Sequence, residues 1–298
     1  MRRLDNEFRN NIASNYEDID AQLAYADFLK DSEAGFSSYV RLWAEIQTVD
    51  RGTTAFVQLH TKRAEALAVN PDFWAWDNFL SLRHLPLCRK QIAELAQDVS
   101  GRKPHLAEEA DVGELEDLIG EPLPDGYRQY VTTVCDSLVP AYSEESIFGV
   151  RKMVERIKSS SGTCDRLRLP FDCDWKRLAV APRVVEGEYE THSIGDGFYL
   201  RNSPGLLELR EFPWTTGGTY LSLHGETRGV IFACWEGHLE YLETVGRTEP
   251  ATERVRSIVA SAFQLPGPDS PGIVRRLPLN TVTAMHMEML GEVLCPEG

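Results

Sequence analysis

No apolar run in this chain approaches the roughly 20 residues needed to cross a bilayer, so no helical membrane span is expected. Basic charge is scarce: 31 lysines and arginines face 46 aspartates and glutamates, for a net charge of −15. Nucleic-acid binders need the opposite balance, because their affinity comes largely from neutralising phosphates. Direct DNA or RNA binding is therefore not expected. The six cysteines, Cys88, Cys135, Cys164, Cys173, Cys234 and Cys295, are scattered and form no C-x-x-C pair. Zinc sites and disulfide frameworks use closer, patterned spacing. Reduced thiols in a cytoplasm are the expected state. The basic start, Met1-Arg2-Arg3, has no apolar stretch behind it, so it does not read as a secretory signal.

Catalytic signatures are also missing. There is no Walker loop, no G-x-G-x-x-G fingerprint, no G-x-S-x-G elbow and no H-x-x-x-H helical zinc spacing. No cofactor is expected. Fragments of possible chemistry remain. Asp172-Cys173-Asp174 places two carboxylates two residues apart, as in some metal-dependent transferases. His192 and Asp196, near Ser193, have the residue types of general acid–base work. Glu236 and Glu240 have those of a glycosidase pair. None of these short patterns is specific alone.

What is present is a globular composition, 42% hydrophobic and 26% charged, which argues against disorder. Ile19, Leu23 and Ala26 lie at helical spacing, and Tyr39, Leu42, Trp43 and Ile46 form a second apolar stripe. Residues 4–49 thus read as two helices, broken over 32–38. Further helices are predicted over 53–69 and 73–82. His84-Leu85-Pro86 is a plausible boundary, because proline disfavours helix at the residue before it. Beyond it, helices are predicted over 89–99, around Val112–Ile119 with Gly120 as C-cap, and from Asp125 onward.

Strands dominate next, over 191–194, 198–200 and 206–212. Residues 219–223 alternate with period two, as a half-buried strand does. Residues 229–235 read as a strand buried on both faces, Glu236-Gly237 as a hairpin turn and 238–242 as the returning strand. A helix around 253–265 follows, then a tail, 266–298, with one possible helix at 281–294. Helices before and after hairpin-connected strands imply an α+β fold.

Two resemblances add to this reading. Residues 12–18, then Gln22-Leu23-Ala24-Tyr25-Ala26-Asp27-Phe28-Leu29 and Tyr39-Val40-Arg41-Leu42, resemble the bacterial repeat-companion domain, over about residues 8–46. Asp31 to Gly35 stands where that family has a Gly-Asp-Pro turn. The resemblance implies an accessory helical module, within the helical unit read over 1–88; Asp27 and Arg41 there either pair across the two helices or stand as two solvated charges. The stretch Leu115-Glu116-Asp117-Leu118-Ile119-Gly120-Glu121-Pro122-Leu123-Pro124-Asp125-Gly126-Tyr127 resembles the opening signature of the SUKH superfamily. Gly217 to Leu223 and Gly229 to Phe232 resemble its paired central strands. Residues 136–190 have no counterpart there. This resemblance implies a SUKH-like domain over 89–265, an antiparallel or mixed sheet flanked by helices. It also implies binding without catalysis, as in immunity proteins that neutralise a toxin, often a nuclease. Fungal relatives are scaffolds in cell-wall signalling.

Two partner-binding candidates follow. Leu106 to Gly126 contains eight carboxylates and no lysine or arginine: Glu108, Glu109, Asp111, Glu114, Glu116, Asp117, Glu121 and Asp125. Such a run suits a basic partner, whose approach it would accelerate, and it equally suits an ordinary solvated helix face. Trp235, Glu236, His238 and Glu240 at the hairpin form the second: an aromatic anchor beside acids, or, for the tryptophan, simply core. The expected activity is occlusion of a basic toxin domain. The alternatives are a regulatory scaffold of the same fold and a metal-dependent enzyme centred on Asp172 and Asp174.

Overall fold

The computed structural model of the chain describes residues 2–139, 147–160, 162–171, 184–185, 188–189, 203–211, 218–235, 238–241, 250–263, 265 and 280–294. Over these residues the architecture is α+β, mostly helical with small antiparallel sheets.

The first 48 residues hold three helices, one more than the apolar stripes predict: α1 (Arg2–Ser14), α2 (Ile19–Leu29) and α3 (Ala34–Thr48). Asn15 to Asp18 separates α1 from α2. The Asn15 side chain accepts from the Glu17 N–H (3.3 Å), and Asp18 caps α2 by accepting from the Ala21 N–H (2.9 Å). Helix α4 (Thr54–Val69) is capped by Thr53 in the same way, and α5 (Trp74–Ser81) follows one 3₁₀ turn. Arg41 pairs with Asp27 across α2 and α3. Both side chains are largely exposed, so the pair adds little stability.

What binds this helical unit is a buried carboxylate. Asp77, 1% exposed, accepts from Tyr39 Oη (2.5 Å), Trp43 Nε1 (2.6 Å) and Arg63 Nε (2.7 Å), and pairs with Arg63 Nη2. These donors come from α3 and α4, so one residue of α5 ties three helices together.

Pro86 does not interrupt the chain. It sits in the first turn of α6 (Leu85–Leu95), where a missing N–H costs nothing. A single π turn follows, closed by Gly101 in the left-handed region (φ 64°). Strand β1 (Lys103–His105) then pairs antiparallel with β2 (Ser137–Val139), bracketing α7 (Glu109–Ile119) and α8 (Asp125–Thr133). Two more helices come next, α9 (Val150–Ser159) and α10 (Thr163–Leu167). The buried Asp136 carboxylate, just before β2, accepts from the Val150 N–H (2.9 Å) at the start of α9. The short pair β3 (Val184–Val185) and β4 (Glu188–Tyr189) precedes the main sheet. The strands expected over 191–194 and 198–200 lie outside the described residues.

The main sheet is an antiparallel meander of β5 (Leu206–Glu211), β6 (Gly218–Ser222), β7 (Ile231–Trp235) and β8 (His238–Tyr241), in sequence order. Period-two alternation predicts a β6 with one wet face, yet every residue of β6 is buried. The cause is a second cover. Leu207, Leu209, Leu221 and Ile231 pack on one side into a core shared with α6 to α9. Leu206, Tyr220, Val230 and Phe232 pack on the other side into the core of the N-terminal helical unit, beside Tyr25, Trp74 and Trp76. Helix layers cover both faces.

Two C-terminal helices complete the described fold, α11 (Pro250–Phe263) and α12 (Thr281–Leu294). The helix expected at 281–294 is a core element: Val282, Met285, Met289, Leu290 and Val293 are fully buried in the cluster that includes α6 and α8. Its first residue is a joint. Asn78 Oδ1 of α5 accepts from the Thr281 N–H (2.9 Å), and the Thr281 hydroxyl donates to the Gly229 carbonyl between β6 and β7.

Candidate functional site

Helix α7 turns Val112, Leu115 and Ile119 inward, all at most 1% exposed. That spacing of three and four leaves most of its acids in solvent. Glu108, Glu109, Glu114, Asp117, Glu121 and Asp125 are exposed, and Asp111 and Glu116 are partly buried. Gly120 ends the helix at φ 81°, its N–H on the Glu116 carbonyl (2.8 Å). The Glu116 side chain accepts from the Leu123 N–H (2.8 Å) and fixes the turn into α8.

The run has no cation of its own, but the fold supplies several from elsewhere. Arg128 of α8 pairs with Glu109 (2.5 Å) and Glu116 (3.4 Å). Lys158 of α9 pairs with Glu114. Glu121 meets His224 Nδ1 (3.2 Å) and Arg228 (3.6 Å), and Arg228 also donates to the Pro122 carbonyl (2.7 Å). Four of the eight carboxylates are therefore occupied in holding α7 to its neighbours. The carboxylates of Glu108, Asp111, Asp117 and Asp125 make no ion pair or hydrogen bond with a described residue. The patch divides into a structural half and a free half.

The hairpin candidate is described in part. Trp235 closes β7 and pairs in register with His238 at the start of β8, and Glu240 pairs with Ala233. Glu236 lies outside the described residues. So do Asp172, Cys173 and Asp174, and also His192, Ser193 and Asp196. Among the described residues, no group of three His, Cys, Asp or Glu side chains is arranged to hold a metal ion. Nor is any helix of the described residues long and apolar enough to cross a membrane.

His286 and His84 serve packing. His286, fully buried in α12, places Nε2 2.8 Å from Gln91 Oε1 and Nδ1 3.2 Å from Tyr130 Oη. The His84 ring lies on Phe263, with centroids 4.6 Å apart. Desolvation holds the pKa of each down to about 3, with nearby arginines adding to the effect at His84. An unfolded histidine takes up its proton near pH 6.5. Below that pH the unfolded chain binds the proton and the folded chain does not. The stability is therefore full above about 6.5 and is lost as pH falls toward 3. Asp136 acts in the opposite sense. Burial raises its pKa to about 6, so the folded chain gains a proton first between about pH 6 and 4. Replacing His286→Gln isolates the histidine contribution. Between pH 7 and pH 5 the native chain should lose about 2 kcal/mol more stability than the variant, read from urea midpoints at the two pH values. Parallel pH dependences in the two proteins would mean that His286 is not held neutral.

No family model matches the chain, and neither the curated proteins nor the solved structures contain a match to it.

Proposed function

We propose that the chain is a SUKH-like, non-catalytic binding protein of the immunity type, which occludes a basic protein partner, such as a toxin domain, through the exposed acids of α7 and the start of α8. One observation carries this reading: Glu108, Asp117 and Asp125 are exposed and unengaged, while their neighbours in the run are neutralised by Arg128, Lys158 and Arg228. A carboxylate with no internal partner is free to meet an external cation, and such charges act mainly on association rate and specificity. The order of elements supports this reading: the stretch that resembles the opening signature forms α7 and α8, and antiparallel strands follow it.

Two sets of charge reversals separate the halves of the patch. Glu108→Lys, Asp117→Lys and Asp125→Lys together should weaken partner binding at low salt by more than about tenfold and flatten its salt dependence. The thermal midpoint should barely move, since no internal pair is lost. Glu109→Lys, Glu114→Lys and Glu121→Lys should instead lower the midpoint, because each leaves a cation of the fold facing another cation. The partner is first recovered from the native cell with tagged protein, washed at low and high salt. A basic protein shed at high salt, whose toxicity the chain blocks one to one, is the expected result. Recovery of an endogenous regulator would favour the scaffold alternative. Affinity unchanged by the free-half reversals would remove the α7 surface from the interface.

A further inference from the structure

The loop after β6 holds a buried histidine between two oxygens. His224 Nε2 lies 2.5 Å from the Leu167 carbonyl at the end of α10, and Nδ1 lies 3.2 Å from Glu121 Oε2 in the turn between α7 and α8. A carbonyl and an ionised carboxylate only accept. A neutral imidazole has one N–H and can serve one of them. The imidazolium has two and serves both.

The backbone around the ring, and not Glu121, holds it in place. The Leu223 N–H donates to the Gly205 carbonyl (2.9 Å) and the Gly205 N–H to the Arg166 carbonyl (3.0 Å), which ties the loop to α10. Inside the loop the Gly229 N–H donates to the Ser222 carbonyl (2.8 Å), and the Ser222 and Thr227 hydroxyls are 2.7 Å apart. The two contacts of the ring are therefore unequal. The last carbonyls of a helix have no partner within it, and a buried one left unmatched is costly. The Glu121 side chain is 54% exposed and can turn to water. A ring with a single N–H keeps the Leu167 carbonyl and gives up Glu121.

The other charges nearby are few. Arg228, in the same loop, stands 3.6 Å from Glu121. Arg166 and Arg168 flank Leu167, and Arg168 donates to the Asp117 carbonyl (3.3 Å). Cys164 and Asp165 complete the titratable groups of α10. Among the described residues the ring makes no further hydrogen bond or ion pair.

We propose that His224 is a proton-operated latch on the turn between α7 and α8: charged, it clasps Glu121 and the end of α10 together; neutral, it keeps α10 and releases Glu121. Histidine is the side chain whose charge ordinarily changes between about pH 5 and 8. Glu121 lies in the acidic run proposed as the partner surface, so its release would add a carboxylate to the free half of that run as pH rises. This consequence rests on that reading; the latch does not.

A double-variant cycle in the full chain reads the latch without any partner, so its outcome is separate from that of the binding tests. Urea midpoints are measured for the native chain, His224→Gln, Glu121→Gln and the double variant, at pH 5.5 and at pH 8.5. At pH 5.5, Glu121→Gln should lower the folding constant about fivefold in the native background and less than about twofold beside His224→Gln. At pH 8.5 the two backgrounds should agree within about twofold. The Arg228 pair is present in both backgrounds and cancels. Equal coupling at the two pH values overturns the proposal. Nitrogen NMR of the histidine rings in the native chain decides independently, and does so even if His224→Gln folds poorly. Both ring nitrogens of His224 should carry protons at pH 5.5, and Nε2 alone at pH 8.5. A proton kept on Nδ1 at pH 8.5, or a neutral ring at pH 5.5, also overturns the latch.

Discussion

Replacing Asp77 by alanine is expected to cost about 3–5 kcal/mol, the largest loss from any single side chain in the helical unit. Asp77 carries no exposed surface to speak of and accepts from Tyr39, Trp43 and Arg63 at once. Removing it leaves the Arg63 guanidinium, itself 1% exposed, buried beside the Trp43 ring without its counter-ion. Burial already pushes the Tyr39 hydroxyl pKa well up, and the Asp77 charge adds to that shift. The tyrosine therefore stays a neutral donor, and on losing Asp77 it becomes an unmatched one. The informative comparison is with the double variant. Asp77→Ala combined with Arg63→Met removes both charges and should recover a substantial part of the loss, because the dominant penalty is the orphaned cation and not the missing attraction. Urea unfolding of the native chain, the two single variants and the double variant measures this coupling. Strictly additive losses would show that Arg63 finds water or another acceptor when Asp77 is gone, and that the pair is not the keystone described above.

Asp77 also shows how far sequence reasoning reaches. Its surroundings, Trp74, Trp76, Phe79 and Leu80, announce a helix that is buried nearly all round, and an acid in such a segment must be matched. That signal is local. The identity of the match is not, since the donors stand 14 to 38 residues away. The same division runs through the rest of the chain. Local periodicity places α2 to α5, α7, α8 and α12, and it also carries α9, whose Val150, Met153, Val154 and Ile157 fall at i, i+3, i+4 and i+7. Helix α9 lies within 136–190, a stretch given no element above and without a counterpart in the family resemblance. Helix α1 is harder to see, because its apolar positions are few, chiefly Phe8 and Ile12. The acidic run of α7 is plain in the sequence, but its division into paired and free carboxylates is not. Arg128, Lys158 and Arg228 reach it only through the tertiary fold.

The burial of β6 on both sides leads to the second large effect, on a fragment of residues 89–298. Alternation along residues 219–223 predicts a sheet with one face in water, and such a domain would stand alone. The folded chain instead places Leu206, Tyr220, Val230 and Phe232, together with Phe171, in the core of residues 1–88. Fully burying side chains of this kind is worth about 1.5–3 kcal/mol each. Five of them amount to roughly 10 kcal/mol, as much as the whole net stability of a typical domain. The fragment would also lose Asn78, which accepts from the first N–H of α12. Residues 89–298 alone should therefore be aggregated or molten, binding ANS and giving no cooperative unfolding transition, while the full chain melts as one unit. Fluorescence of the six tryptophans and far-UV circular dichroism should then give coincident denaturation curves for the full chain. A monomeric fragment with its own sharp transition would mean instead that the helical module is a detachable companion. The outcome bears on function as well. If the module is structural cover for the sheet, that sheet face is closed to any partner, while Glu108, Asp117 and Asp125 remain exposed. If the module detaches, its removal uncovers an apolar sheet face. Partner binding should then be measured with and without residues 1–88 before the α7 surface is given the whole interface.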